Sequence, residues 1–146
     1  MSAENVEIIR RVYDAMARGD FWATGAVFDP EISWAWSPSM AGMTGVQEYR
    51  GIEGVEAATR DFFEALEWFR QEATELIDLG DEVLALTRAY ARPRGSDREF
   101  EATSANLWTL RDGRVIRFRQ FDTREEALAA AGVGGGPSRP RRRGGS

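Results

Sequence analysis

Residues 98–121 read REFEATSANLWTLRDGRVIRFRQF, and this stretch decides the fold. It contains two strand-like runs, 98–111 and 114–121. The pair Asp112-Gly113 between them is typical of a tight hairpin turn. A strand of about fourteen residues usually bends at a β-bulge, which lets it keep packing on one core. The stretch therefore predicts an antiparallel hairpin with one long, bent strand.

Two further strand-like runs precede this hairpin, at 71–79 and 82–92. Gly80 and Asp81 mark the turn between them, and residues 93–97 mark the turn into the hairpin. Contiguous hairpins predict an antiparallel meander. Residues 31–37 form another extended segment, in which Ile32, Trp34 and Trp36 fall on one face.

The front of the chain is helical by its apolar spacing. Apolar residues recur every three to four positions over 4–18 and 53–68, which predicts two amphipathic helices. Shorter helices are predicted over 21–28 and 123–131. Residues 38–51 are expected to form an apolar loop over a pocket mouth. Helices before a meander predict an α+β domain over residues 1–132, a cone-like curved antiparallel sheet packed on N-terminal helices. The space between sheet and helices suits a ligand. Residues 133–146, rich in Gly, Pro and Arg, are predicted to be a disordered tail.

Composition excludes several kinds of chemistry. The chain has no Cys and no His, which removes disulfides, cysteine nucleophiles, the serine–histidine triad and most zinc sites. All 19 basic residues are Arg. The net charge is −5, and without the four tail arginines the body carries −9, which argues against nucleic acid as a partner. No apolar run approaches about 18 residues and the N-terminus lacks signal-peptide features, so we expect no membrane partner and a cytoplasmic location.

The order of these elements resembles the nuclear transport factor 2-like fold, and more narrowly its SnoaL-like branch, over residues 3–132. The resemblance implies a cone-shaped cavity for a small organic ligand, activity that often needs no cofactor, and a homodimer formed through the sheet. The residues that carry it are Ile9 to Tyr13, Arg18 to Asp20, Asp29 to Glu31, Trp34, Tyr49 to Val55, Trp108 to Val115, Phe121, Asp122, Glu126 to Leu128 and Gly132.

Relatives of this branch include ketosteroid isomerases, limonene epoxide hydrolases and polyketide cyclases. The resemblance to the isomerases places Tyr13 and Asn106 at the oxyanion hole, with Trp36 where the base would stand. In the epoxide hydrolases the matching arginine is Arg88, while Tyr90 and Gln120 replace two aspartates. These replacements argue against isomerisation or epoxide hydrolysis by those particular mechanisms.

The polyketide cyclase branch uses an aspartate on the last strand, and Asp122 lies near that place. A carboxylate among Phe118 and other aromatic side chains would be desolvated, which suits proton abstraction near neutral pH. The first hypothesis is therefore a cofactor-independent isomerase, cyclase, dehydratase or hydrolase. Asp122 would be its base, and Arg88, Tyr90, Asn106 and Tyr13 would orient the substrate. The predicted ligand pocket consists of Trp34, Trp36, Trp108, Phe118, Gln120 and Phe62.

Structural interpretations compete with each of these roles. Asp122 could cap the last helix, Arg88 could pair with Glu75 or Glu99, and Tyr13 and Asn106 could satisfy each other. The aromatic residues could be ordinary core. Two other functions also stay open: a cavity that binds a ligand without changing it, and a scaffold that dimerises through an exposed sheet face.

Overall fold

The structure is a computed structural model that describes residues 2–20 and 25–132. Its elements are α1 (Ser2–Ala17), β1 (Phe28–Ala35), α2 (Pro38–Thr44), β2 (Glu48–Arg50), α3 (Gly51–Glu64), β3 (Leu66–Asp78), β4 (Glu82–Pro93), β5 (Phe100–Arg111), β6 (Arg114–Phe121) and α4 (Arg124–Ala130). The predicted tail and residues 21–24 of the predicted second helix lie outside the described residues. Residues 25–27 form one 3₁₀ turn, and residue 28 already belongs to β1.

The predicted hairpin lies near the centre of a six-stranded sheet. The strand order is β2-β1-β6-β5-β4-β3, with β6 antiparallel to β5 and parallel to β1. At the hairpin turn, Asp112 and Gly113 both have positive φ, 53° and 79°. Two successive left-handed residues are what a tight turn between twisted antiparallel strands requires. The predicted meander of β3 to β6 and the α+β fold class are therefore confirmed.

Register shifts occur in three strand pairs, β1 with β6, β3 with β4 and β5 with β6. In β3, Ala73 lies opposite Thr87 and Glu75 lies opposite Leu86, so Thr74 is an extra residue. The Thr74 hydroxyl donates a hydrogen bond to the Leu86 carbonyl at 3.1 Å. The bulge switches the parity of the strand, because both Ala73 and Leu76 pack on the inner core. Between β5 and β6 the register shifts at Thr109 and Leu110, where Ile116 of β6 is the extra residue. The bulge that we expected in the long strand 98–111 therefore lies in its partner strand instead.

The main core lies between the inner face of the sheet and two helices. From α1, Ile9, Val12 and Tyr13 are buried against β3 and β4. From α3, Val55 and Phe62 are buried, and this helix packs on β1 and β3. These side chains meet the inward-facing aromatic residues of the central strands. Both helices therefore cover the same concave face.

The outer face carries a second, smaller core under α4. Ala127 of this helix is buried against Leu84, Ala105 and Leu107, and Leu128 and Phe121 pack around them. The predicted last helix is therefore present, and it lies across the middle of the outer face. The face that we expected to be bare for dimerisation is covered at its centre.

Two predictions about the middle of the chain were wrong. The loop expected over 38–51 contains α2, because the Ser37 hydroxyl accepts a hydrogen bond from the Met40 amide at 3.2 Å and Gly45, with φ 84°, ends the helix. The helix expected over 53–68 ends at residue 64. There Arg94 donates from its backbone to the Ala65 carbonyl and from Nε to the Glu64 carbonyl, at 3.1 and 2.8 Å.

Candidate functional site

A cavity of about 270 Å³ opens between the inner face of the sheet and the helices. Its floor comes from β3 to β6, and its other sides come from β1 and α1 to α3. All six residues of the predicted ligand pocket line it, namely Trp34, Trp36, Phe62, Trp108, Phe118 and Gln120. That they contact a ligand stays a prediction. Phe63 and Phe100 also line the cavity although they are 40% and 43% exposed, so they mark its mouth.

One wall of the cavity is aromatic because register aligns three strands. Trp34 lies opposite Phe118, and Phe118 lies opposite Trp108, across β1, β6 and β5. The Trp34 and Phe118 rings stack with centroids 4.0 Å apart, and the Phe118 and Trp108 rings are 4.6 Å apart. Trp36 extends this row to α3 through Phe62, at 5.7 Å. Rings at these separations attract each other and form a rigid apolar surface.

A buried chain of hydrogen bonds runs along the other wall. Gln71 Nε2 donates to the Thr87 hydroxyl at 3.2 Å, and the Thr87 and Ser104 hydroxyls share a bond of 2.7 Å. The Ser104 hydroxyl donates to Asn106 Oδ1 at 3.1 Å. Asn106 Nδ2 then donates to the Tyr13 hydroxyl at 2.9 Å. The chain joins three strands to α1, and Gln71, Ser104 and Asn106 also line the cavity.

Tyr13 ends this chain as a neutral group. Its hydroxyl oxygen accepts hydrogen bonds from Asn106 Nδ2 and, at 3.0 Å, from Trp108 Nε1. Burial raises the pKa of Tyr13 well above its usual value, and this outweighs the two hydrogen bonds, which lower it. The Tyr13 side chain is 3% exposed and supports the cavity wall from behind. Tyr13 and Asn106 therefore satisfy each other, which was the structural alternative to their catalytic role.

Asp122 lies at the mouth of the cavity. Its Oδ2 accepts a hydrogen bond from the Ser39 hydroxyl of α2 at 3.0 Å. Beside it, Gln120 Oε1 accepts a hydrogen bond from the Ser37 amide at 3.2 Å. Asp122 is exposed, so the desolvation that we expected of it does not occur. The two contacts attach α2 to the end of β6 and set the carboxylate at the entrance.

Asp122 is not the cap of the last helix. Thr123 fills that place, because its hydroxyl accepts a hydrogen bond from the Glu126 amide at 3.2 Å. Glu126 in turn accepts one from the Thr123 amide at 3.2 Å, which completes a capping box. The Asp122 carboxylate therefore makes no capping hydrogen bond and lies at the cavity mouth.

Arg88 and Tyr90 lie on the opposite face of the sheet from the cavity. Alternation along β4 directs Ala89 and Ala91 inward and therefore directs Arg88 and Tyr90 outward. Arg88 pairs with Glu101 at 3.1 Å, and the Arg70 guanidinium lies 4.6 Å from the centre of the Tyr90 ring. The prediction that these two residues orient a substrate is corrected on this ground. The carboxylate that pairs with Arg88 is also neither Glu75 nor Glu99.

Sequence reasoning missed three members of the polar chain, Gln71, Thr87 and Ser104. The sequence does contain a weak signal for these residues. Small or polar residues recur at every second position of β3, β4 and β5, where a packed core would have bulky apolar side chains. Ala89, Ala91 and Ala102 line the cavity beside them and leave its space open. Within residues 2–20 and 25–132, no three carboxylates come together in a group that could hold a metal ion.

The sequence profile of the SnoaL-like domain matches residues 9–118, which is most of the chain. The chain belongs to the SnoaL-like domain family. No curated protein sequence is significantly similar to it. In the part of this SnoaL-like protein that the structure describes, no helix is long and apolar enough to cross a membrane.

Solved structures share the fold of this SnoaL-like protein. An NTF2-like protein of unknown function from Burkholderia pseudomallei superposes with a TM-score of 0.74 at 20% identity, covering 86% of this chain and 95% of that one. TerC, co-crystallised with polyporic acid, gives a TM-score of 0.72 at 20% identity, with coverage of 89% and 97%. A protein from Jannaschia sp. CCS1, assigned to the SnoaL-like polyketide cyclases, gives 0.68 at 22% identity, with coverage of 92% and 95%. These likenesses support the fold class.

Proposed function

We propose that this protein binds a small, mostly apolar organic molecule in the cavity between its sheet and its helices. The observation that carries the proposal is the cavity itself, which combines a stacked aromatic wall with a wall of buried, hydrogen-bonded polar groups. Sites of this make-up orient small organic ligands, since apolar walls supply affinity and a few fixed polar groups supply direction. The co-crystal of TerC with polyporic acid supports the same use of the fold.

The test is to fill the cavity and measure the loss of binding. Ala89 lines the cavity, so Ala89→Phe would occupy space that a ligand needs. Ala130 is exposed on α4, so Ala130→Phe is a control that adds the same ring outside the cavity. A panel of small aromatic and alicyclic molecules would be screened by thermal shift. We expect molecules that raise the melting temperature of the wild type and of Ala130→Phe, but not that of Ala89→Phe.

Two results would count against the proposal. One is a panel in which no molecule stabilises the wild type. The other is stabilisation that survives Ala89→Phe while the variant stays folded by circular dichroism. A site elsewhere on the molecule would then explain the binding.

Catalysis without a cofactor is the second candidate, and the position of Asp122 favours it. The carboxylate lines the mouth and is oriented by the Ser39 hydroxyl, so it could accept a proton from a molecule that reaches out of the cavity. Asn106 would hold a polar atom of that molecule from inside. Isomerisation, cyclisation, dehydration or hydrolysis would each be compatible with one carboxylate base.

Catalysis is tested separately from binding. Ligands found by the thermal screen would be incubated with the protein, and product would be sought by mass spectrometry. If product forms, Asp122→Asn should lower its rate at least tenfold, a typical contribution of a general base being 10²–10⁴-fold. Asp97→Asn is the matched control, since Asp97 is exposed and does not line the cavity. Stabilisation with no product would favour a binding protein.

A further inference from the structure

The charge of the cavity lining is one-sided. Among the described residues that line the cavity, Asp122 is the only one with an ionisable side chain, since the others are aliphatic, thioether, aromatic, hydroxyl or amide residues. The chain contains 19 arginines, yet none of those within residues 2–20 and 25–132 lines the cavity. The arginines that the structure describes lie elsewhere, as Arg88 does on the outer face. An anionic ligand would therefore meet a carboxylate and no cation from the described part of the lining.

Within the described residues, the Asp122 carboxylate has no ion-pair partner. Among the residues that the structure describes, its one hydrogen-bond partner is the Ser39 hydroxyl, which is neutral, and no arginine forms an ion pair with it. The contact with Ser39 attaches the carboxylate to α2, so its position at the mouth is set by the fold. Its negative charge is therefore available to a bound molecule.

The aromatic side chains around the cavity favour the same sign of charge. The faces of Trp and Phe rings carry negative electrostatic potential and attract cations, Trp most strongly. Phe63 and Phe100 are exposed at the mouth, where Asp122 also lies, whereas the Trp34 ring in the wall stacks on Phe118 at 4.0 Å. The body of the protein, at −9 without the tail arginines, adds a long-range field that draws cations toward it.

We propose that the molecule bound in the cavity carries a positively charged nitrogen, such as a protonated or quaternary amine, on an apolar body. The apolar body would occupy the aromatic cavity, and the nitrogen would lie at the mouth between Asp122 and the neighbouring rings. This inference rests on the proposed function of the cavity and adds the charge class of its ligand.

Three indoles of matched shape and different charge test it. Tryptamine is a cation at neutral pH, tryptophol is its neutral alcohol, and indole-3-acetate is an anion. Their affinities for the full chain would be measured by titration calorimetry at low salt. We expect tryptamine to bind about tenfold more tightly than tryptophol, which is the scale of one cation–π contact together with one exposed charge pair. Indole-3-acetate should bind most weakly.

Two variants test whether Asp122 causes the preference for tryptamine over tryptophol. Asp122→Asn should remove most of the difference between tryptamine and tryptophol while tryptophol still binds. Asp97→Asn changes the net charge equally and should leave the difference intact, since Asp97 does not line the cavity. Equal binding of tryptamine and tryptophol, or a preference that survives Asp122→Asn, would overturn the inference and leave the proposed function standing. If none of the three indoles binds, the result counts against both.

Discussion

Tyr13 is the single residue on which the polar wall of the cavity most depends. It accepts hydrogen bonds from Asn106 and from Trp108, and both of these donors are buried. A buried donor that loses its acceptor costs the full free energy of its desolvation, because no water replaces the bond. Tyr13 therefore acts as a shared acceptor that keeps two cavity residues in place.

Removing the hydroxyl should destabilise the fold. Tyr13→Phe keeps the ring but leaves two buried N–H groups without an acceptor, and we expect the free energy of unfolding to fall by about 1–3 kcal/mol. Urea unfolding followed by circular dichroism would measure it. Tyr49→Phe is the control, because Tyr49 is half-buried and its hydroxyl bonds Asp61 at 3.4 Å. A loss no larger than that of the control would show that the two donors find other acceptors.

The ionisation of Tyr13 predicts a loss of stability at high pH. Burial raises its pKa in the folded protein, whereas an unfolded tyrosine ionises near pH 10. Above about pH 10 the unfolded state therefore binds fewer protons than the folded state, and the free energy of unfolding falls as pH rises. The slope from this one group approaches about 1.4 kcal/mol per pH unit.

The contribution of Tyr13 can be isolated by comparing urea unfolding at about pH 8 and pH 11, on either side of the ordinary tyrosine value. The wild type and Tyr49→Phe should lose more stability between these values than Tyr13→Phe does. An equal loss in all three proteins would mean that other groups cause the alkaline transition.

Helix α4 shows how a short element is held by its ends and its contacts. It has seven residues, too few for an isolated helix to be stable in water. The capping box at Thr123 and Glu126 satisfies its first amides, and Ala127 and Leu128 attach it to the outer face of the sheet. The helix α2 depends in the same way on the Ser37 cap and on the Ser39 contact with Asp122.

Loss of the α4 cap should be measurable. Thr123→Ala removes the hydroxyl that accepts from the Glu126 amide, and we expect it to lower the free energy of unfolding by about 1 kcal/mol. Thr123→Ser is the control, because serine keeps the hydroxyl that accepts from the Glu126 amide, and its effect should be clearly smaller. Urea unfolding of both variants would decide. An effect of Thr123→Ser as large as that of Thr123→Ala would contradict this assignment of the cap.

At the scale of the whole molecule, the two faces of the sheet have different occupants. The inner face bears the helices α1 and α3 and encloses the cavity. The outer face bears α4 at its centre, with charged and polar residues around it, including the pair of Arg119 with Glu82 at 3.0 Å. Burial lowers the pKa of Arg119, and the nearby Arg117 lowers it further. Any dimer through this face would include α4 in its interface.

Such a homodimer remains our prediction from the family resemblance. Light scattering on the purified chain should give a mass of about twice 16.3 kDa. Leu128→Arg on α4 would be compared with Ala130→Arg, although only a variant that keeps its circular dichroism spectrum is informative. A mass of one chain for the wild type would contradict the prediction and would remove the sheet-mediated dimer from consideration.

The sequence by itself determined the fold class, the meander and the hairpin at Asp112-Gly113, because period-two patterns and turn residues act over a few neighbouring positions. It also placed six residues in the wall of the cavity. It did not determine the helix at 38–44, although Ser37, Pro38 and Gly45 are ordinary helix boundary residues. The apolar composition of that segment also fits a loop over the pocket mouth, so composition alone does not decide between the two.

Only the tertiary structure decided which candidate residues meet. Arg88 and Tyr90 turned outward because the face of a strand residue depends on register, and register depends on partners and bulges distant in sequence, such as Thr74. The polar hydrogen-bond chain forms only when three strands and a helix pack together, because it joins Tyr13 to Gln71, Thr87, Ser104 and Asn106. Local sequence sets which elements form, whereas long-range packing sets which side chains share a space.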